Sequence, residues 1–156
     1  MAEDIKAVDT AAVAAKVNVA PVLDLKTVVS NTFNVINTRN LTALKTSVAP
    51  KFQTVFADVA TRVQAAFPNM KLTVDDVITE GDKVVTRWTM TGTHTGLARQ
   101  SQMGEVKPTG KPVTVQGITI HQIQNGVIVD SWGATGKLEA LVQLGLVGAY
   151  AKAVGQ

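Results

Sequence analysis

The spacing of apolar residues changes period at Pro68-Asn69, and that change constrains the fold more than any other feature of the chain. From Leu23 onward, Leu25, Val28, Val29, Phe33 and Ile36 recur at intervals of three and four, which marks one apolar helix face. Residues 37–40 interrupt the pattern. A second, short helix is expected over residues 41–48, ending at Ala49-Pro50 because the residue before a proline is driven out of helical geometry. Val55, Val59, Val63 and Phe67 form the stripe of a third helix over residues 54–66. Beyond Asn69 the alternation becomes two-fold. Residues 71–78 and 83–95 read as strands joined at Glu80-Gly81-Asp82, and Thr86, Thr89, Thr91, Thr93 and Thr95 supply β-branched side chains. Residues 96–112 read as a long loop around Pro108-Thr109-Gly110, serving either as an ordinary connection or as a lid. Two more strands, 113–124 and 127–133, meet at Asn125-Gly126, a strong hairpin signal. A closing helix is expected over residues 137–152. Helices followed by antiparallel strands and a last helix define an α+β fold.

The 156 residues suit one domain, with residues 1–22 as a loosely attached N-terminal arm and 23–156 as the folded unit. A chain of this length buries roughly 70% of its unfolded surface and needs no staple. It has no cysteine, which excludes disulfides, thiol nucleophiles, thiolate zinc sites and iron–sulfur ligation. With only His94 and His121, a three-histidine metal site is excluded too, and neither a metal nor a cofactor is expected. Fifteen Lys plus Arg against 12 Asp plus Glu give a net charge of +3. That excess is dispersed rather than gathered into the basic stripe a nucleic-acid partner requires. No apolar run is long enough for a membrane-spanning helix. The first residues carry Glu3, Asp4 and Asp9 rather than a basic, then apolar, export signal, so a cytoplasmic location is expected.

Several segments, in order, resemble the SnoaL-like polyketide (ester) cyclase family. They are Phe67-Pro68-Asn69-Met70-Lys71-Leu72-Thr73-Val74-Asp75-Asp76-Val77, Glu80-Gly81-Asp82-Lys83-Val84-Val85-Thr86-Arg87-Trp88-Thr89 and Thr91-Gly92-Thr93-His94-Thr95-Gly96. Pro108-Thr109-Gly110-Lys111, Gly117-Ile118-Thr119-Ile120 and Asn125-Gly126-Val127-Ile128-Val129-Asp130-Ser131-Trp132 continue the match, and residues 141–146 resemble the family's closing tail. The resemblance covers roughly residues 23–150. It implies the nuclear-transport-factor-2-like cone, a strongly bent antiparallel sheet plugged by helices, with an apolar pocket on its concave face. It also implies a homodimer formed through the outer sheet face and, among relatives, cofactor-free cyclisation of polyketides by intramolecular aldol chemistry. Fold alone does not fix the reaction.

By that resemblance, the set 113, 115, 117, 119, 121 and 123 faces the pocket, so Thr119 and His121 line it. Arg87, Thr89 and Thr91 are expected inward on the preceding strand, with Trp88 and Met90 outside. Val129, Ser131 and Gly133 are expected inward on the last strand, with Ile128, Asp130 and Trp132 outside. Trp88, Ile118, Ile120 and Trp132 would then form the dimer face. An aldol cyclase needs a base next to the substrate carbonyl and a donor for the developing enolate. The family's usual acid or base maps to Thr119 and Gly133, neither of which accepts a proton usefully. An epoxide hydrolase of this fold needs an Arg with two Asp residues; Arg87 matches, but Thr89 and Gly133 stand at the Asp positions. His121 is the leading base, or else it fills space in place of an aromatic. Arg87 either anchors a ligand anion or pairs internally. Asp130 is a solvated or interface residue if outward, and a base if a bulge turns it in. His94 either fixes the strand end or contributes to binding, and Thr89, Thr119, Ser131 and Phe33 complete the candidate substrate wall. Two functions remain open: a cyclase or isomerase acting on a hydrophobic carbonyl compound, or a non-catalytic protein that binds an apolar small molecule or serves as a dimeric scaffold.

Overall fold

The computed structural model describes residues 24–100 and 102–155; the expected arm over residues 1–22 lies outside them. In chain order these form α1 (Leu25–Asn37), a 3₁₀ turn (Leu41–Thr46), α2 (Pro50–Ala66), β1 (Lys71–Glu80) and β2 (Lys83–Thr93). There follow β3 (Ala98–Gln100), β4 (Gly104–Val106), β5 (Pro112–Gln124), β6 (Val127–Thr135), α3 (Lys137–Leu144) and α4 (Val147–Val154). The architecture is α+β, as the change of period implies.

Local chemistry sets the element ends. Asp24 caps α1, its carboxylate accepting from the Lys26 amide at 3.2 Å and from the Thr27 hydroxyl at 2.9 Å. Pro50 occupies the first turn of α2, where its missing N–H costs nothing, so this helix starts ahead of the expected residue 54. The expected closing helix is divided in two, because Gly145 adopts a left-handed conformation (φ 74°) and caps α3. The expected loop over residues 96–112 contains the small β3–β4 hairpin.

The main sheet has the order β1-β2-β5-β6 and is antiparallel throughout. Two cross-strand rows fix its inner, helix-covered face: Val84, His121 and Ser131 in one, Thr86, Thr119 and Gly133 in the next. Trp88 then faces Gly117, and Met90 faces Val115. The inner face of β2 is therefore the even-numbered set, which corrects the expected orientation of this strand: Arg87, Thr89 and Thr91 point away, and Trp88 and Met90 point in. In β6 a bulge pairs Gln122 with Asp130 but Ile123 with Ile128, leaving Val129 as the extra residue. Ile128 is fully buried as a result, contrary to its expected outward place, while Ser131 and Gly133 keep their inward register and Trp132 stays outside.

Two apolar clusters fill the space between sheet and helices. One contains Val28, Val29, Phe33, Leu44, Ile123 and Ile128, the other Met90, Val113, Val115 and Leu144; Trp88 packs against both. Its indole lies across Gly117, where an added Cβ would come within 2.2 Å of Cζ2, and its Nε1 donates to Thr119 Oγ1 at 2.9 Å. Carboxamide side chains complete the strand edges. Asn37 donates to the Leu72 carbonyl and accepts from its amide, both at 2.8 Å. Gln143 does the same for Thr114 on β5, at 2.9 and 2.8 Å.

Gly117→Ala is expected to lower unfolding stability by roughly 1–3 kcal/mol, the usual cost of overpacking. In Gly117→Ala/Trp88→Leu the combined loss should be smaller than the sum of the single losses, because removing the indole relieves the clash. Urea unfolding of the four proteins measures this; strict additivity would show that the two residues do not meet.

Candidate functional site

The inner face of the sheet carries a polar patch within an otherwise apolar wall. His121 comes from β5, which alternates through Val113, Val115, Gly117 and Thr119 before reaching it, so its direction follows from strand geometry alone. It is 3% exposed, and neither ring nitrogen has a hydrogen-bond partner among the described residues. Phe56 of α2 stands over the ring, with centroids 6.3 Å apart and planes tilted by 39°. Thr86, fully buried on β2, also has an unpartnered hydroxyl. It lies diagonal to His121, within reach of side chains on a common face. Thr119 sits directly across from Thr86, and Ser131 directly across from His121. The Thr119 hydroxyl accepts from Trp88, which leaves its own proton available for donation. Two adjacent rows thus hold one imidazole and three hydroxyls.

The remaining candidates are placed elsewhere. Arg87 is on the outer face, paired with Asp75 at 3.3 Å and half-exposed, which corrects its expected place in the pocket. Thr89 donates its hydroxyl to the same carboxylate at 2.6 Å and likewise leaves the candidate wall. The bulge in β1 between Val74 and Asp76 brings Asp75 to this pair. Asp130 lies in register with Gln122 on the side opposite His121, and its carboxylate accepts from the Ser131 amide at 2.8 Å. Phe33 belongs to the apolar cluster under α1. His94 is fully buried at the far end of β2, where it receives a hydrogen bond from the Thr109 amide at 3.2 Å and packs on Phe67. Thr86 and Phe56 were not singled out in the sequence. Thr86 becomes visible only when β2 is registered against Thr119.

Among the described residues no group of three or more His, Asp and Glu could hold a metal ion, and no helix is long and apolar enough to cross a membrane. Burial without a partner charge lowers the His121 pKa from 6.5 to about 4. The ring is therefore neutral at pH 7, free to accept a proton at either nitrogen. Between pH 6.5 and 4 the unfolded chain binds a proton at this residue and the folded chain does not. The contribution to stability is complete above pH 6.5 and is lost as pH falls toward 4, by about 3 kcal/mol in all. His121→Leu should flatten that part of the stability profile, as read by chemical unfolding at stepped pH. In wild type the ring resonances should stay in the neutral form down to about pH 4; titration near 6.5 would place the ring in solvent.

Comparison with known proteins agrees with this architecture. The family model described as SnoaL-like polyketide cyclase matches residues 26–144. A search of curated proteins finds no match. Among solved structures the chain is similar to wild-type IdmH of Streptomyces antibioticus, a candidate polyketide cyclase, at 25% identity and a TM-score of 0.68, covering 78% of this chain and 99% of that one. It is also similar to TsrD of Streptomyces laurentii, at 21% identity and a TM-score of 0.71, covering 79% and 96%. For a candidate SnoaL-like polyketide cyclase of Jannaschia sp. CCS1 the values are 19% and 0.66, covering 77% and 90%. With the matched segment spanning all four strands of the main sheet and the helices that cover it, the chain belongs to the SnoaL-like polyketide cyclase family.

Proposed function

We propose that this protein cyclises a hydrophobic polyketide-type carbonyl compound without a cofactor, using His121 as the base. The observation that supports this reading is the pairing of an unpartnered, buried imidazole with an unpartnered, buried hydroxyl, Thr86, on one face of the sheet. Buried polar groups normally find partners, and each one left alone costs about 1–3 kcal/mol. A substrate carbonyl and its acidic C–H supply the acceptor and donor that these groups lack.

In the proposed reaction, neutral His121 takes a proton from the carbon next to a substrate carbonyl. The C–H electrons move into the enolate, whose oxygen accepts hydrogen bonds from Thr86 and from Thr119 or Ser131. The enolate carbon then attacks a second carbonyl of the same molecule, forming the ring bond, and the new alkoxide recovers the proton from the imidazolium. An imidazolium with a pKa of about 4 returns its proton readily, so burial favours the closing step. Burial also weakens the ring as a base in the opening step, where hydrogen bonds from the hydroxyls to the enolate oxygen must lower the barrier. Arg87 and Asp130 take no part. A binding role without turnover is favoured by one observation: among the described residues, no hydrogen-bond partner orients the His121 ring.

A test uses a β-keto ester carrying a second carbonyl within reach of ring closure. His121→Leu should slow cyclisation by about a hundredfold or more while leaving the fold intact by circular dichroism. Arg87→Gln should retain wild-type turnover. Turnover unchanged in His121→Leu removes this residue from the mechanism, and saturable binding by wild type without any cyclisation favours the binding role.

The same reading includes a homodimer through the outer sheet face. Ile78, Val85, Ile120 and Trp132 form one row across all four strands, with Ile118 in the next row. Ile78 is 61% exposed, Ile118 49% and Trp132 48%, an apolar band unusual for a free surface. Trp88 has no share in it, being packed inside. Ile120→Arg/Trp132→Arg should convert a dimer to a monomer by light scattering, and a dimer that persists would place the interface elsewhere.

A further inference from the structure

A cavity of about 260 Å³ lies at the opposite end of the sheet from His121. Ten residues of extended chain separate Val84, the cross-strand neighbour of His121, from His94, a path of about 33 Å. The cavity is walled by the C-terminal half of α2, the β3–β4 hairpin and the junction between α3 and α4. Val59, Val63, Phe67, Val106 and Leu146 make its lining largely apolar. Its polar members are Arg62, Arg99 and His94. All three are donors, and no carboxylate is among the lining residues.

Geometry fixes the character of His94. Its Nδ1 accepts from the Thr109 backbone N–H at 3.2 Å, so the neutral ring must carry its proton on Nε2. That Nε2 is buried and has no acceptor among the described residues. The Phe67 ring, 5.3 Å away between centroids, and the Thr109 contact hold the imidazole in place. Neither arginine makes an ion pair with a described residue; Glu105 stands opposite Arg99 in the β3–β4 register without pairing to it. Lys111 adds positive charge beside Gly145, the residue between two lining leucines, Leu144 and Leu146.

We propose that this cavity binds a small apolar acid, its carboxylate taken by His94 Nε2–H, Arg62 and Arg99 and its aliphatic or single-ring body by the apolar wall. The site is independent of the cyclisation site. The N–H that the fold leaves without an acceptor then gains one, and two unpaired guanidinium groups gain a counter-charge. The cavity is at the small end of the range for organic ligands, which excludes a multi-ring polyketide and fits a short acid.

The experiment titrates the full chain with 4-phenylbutanoate and, separately, with the uncharged 4-phenylbutanamide, using calorimetry and nitrogen-15 spectra of the histidine rings. The carboxylate is expected to bind saturably and to shift the His94 Nε2–H resonance, with the amide weaker by about tenfold or more. Arg62→Gln and Arg99→Gln, both at exposed positions, should each weaken the carboxylate several-fold while leaving circular dichroism unchanged. His121→Leu should bind it as wild type does. No saturable binding, equal affinity for acid and amide, or loss of binding in His121→Leu would each overturn the proposal. A His94 ring protonated on Nδ1 would overturn it as well.

Discussion

The indole of Trp88 laid across Gly117 is the contact on which the rest of the inner face depends. Together with Leu72 it joins two apolar clusters, one under α1 and one under α3. Only a glycine on β5 lets the ring approach so closely, and only a hydroxyl at Thr119 satisfies the buried Nε1–H. Once Trp88 points inward, strand alternation brings Val84, Thr86 and Met90 in with it. Arg87 is then forced out to Asp75 on the outer face, where its side chain stays about half exposed instead of being buried without a counter-charge. Among the described residues, the buried polar side chains are then Thr32, Ser47, Gln64, Thr86 and the two histidines, with no carboxylate, lysine or arginine.

That constraint also explains which parts of the candidate site were legible in sequence. His121 and Thr119 were, because the family resemblance put the odd set of β5 on the concave face and β5 runs from Val113 through Thr119 to His121 without a bulge. The fold class was legible for a similar reason: the change from helical to strand spacing is long and strong. The face of β2 was legible too, its even set Val84, Thr86, Trp88 and Met90 being more apolar than its odd set Lys83, Val85, Arg87, Thr89 and Thr91. It was the resemblance, which put Arg87 in the pocket, that pointed the other way, and the register against β5 overturns it. In β6 the extra residue Val129 reverses the parity between Ile128 and Ser131, and no residue type announces a bulge.

The carboxamides form a third class, invisible in sequence for another reason. Asn37 and Gln143 look like ordinary polar surface residues. In the fold each copies the donor and acceptor of a missing neighbouring strand, for Leu72 at the edge of β1 and for Thr114 on β5. Such pairing satisfies backbone groups that would be costly to leave alone near the core, and it ties α1 and α3 to defined points of the sheet. The covering helices, and the two polar sites beneath them, are thereby held in register by side-chain amides as well as by apolar packing.

The two histidines, the scarcest chemical groups of the chain, end up with opposite characters by the same means. Burial keeps both neutral, depressing each pKa by desolvation. They differ in what touches the ring. The Thr109 amide commits His94 to a single tautomer and makes its other nitrogen a fixed donor. No described residue hydrogen-bonds His121, so either nitrogen remains able to accept. A fixed donor among arginines suits the recognition of an anion; an uncommitted acceptor among hydroxyls suits the taking and returning of a proton. One backbone N–H, present at one end of the sheet and absent at the other, is enough to separate binding chemistry from proton-transfer chemistry in a chain that has only two imidazoles.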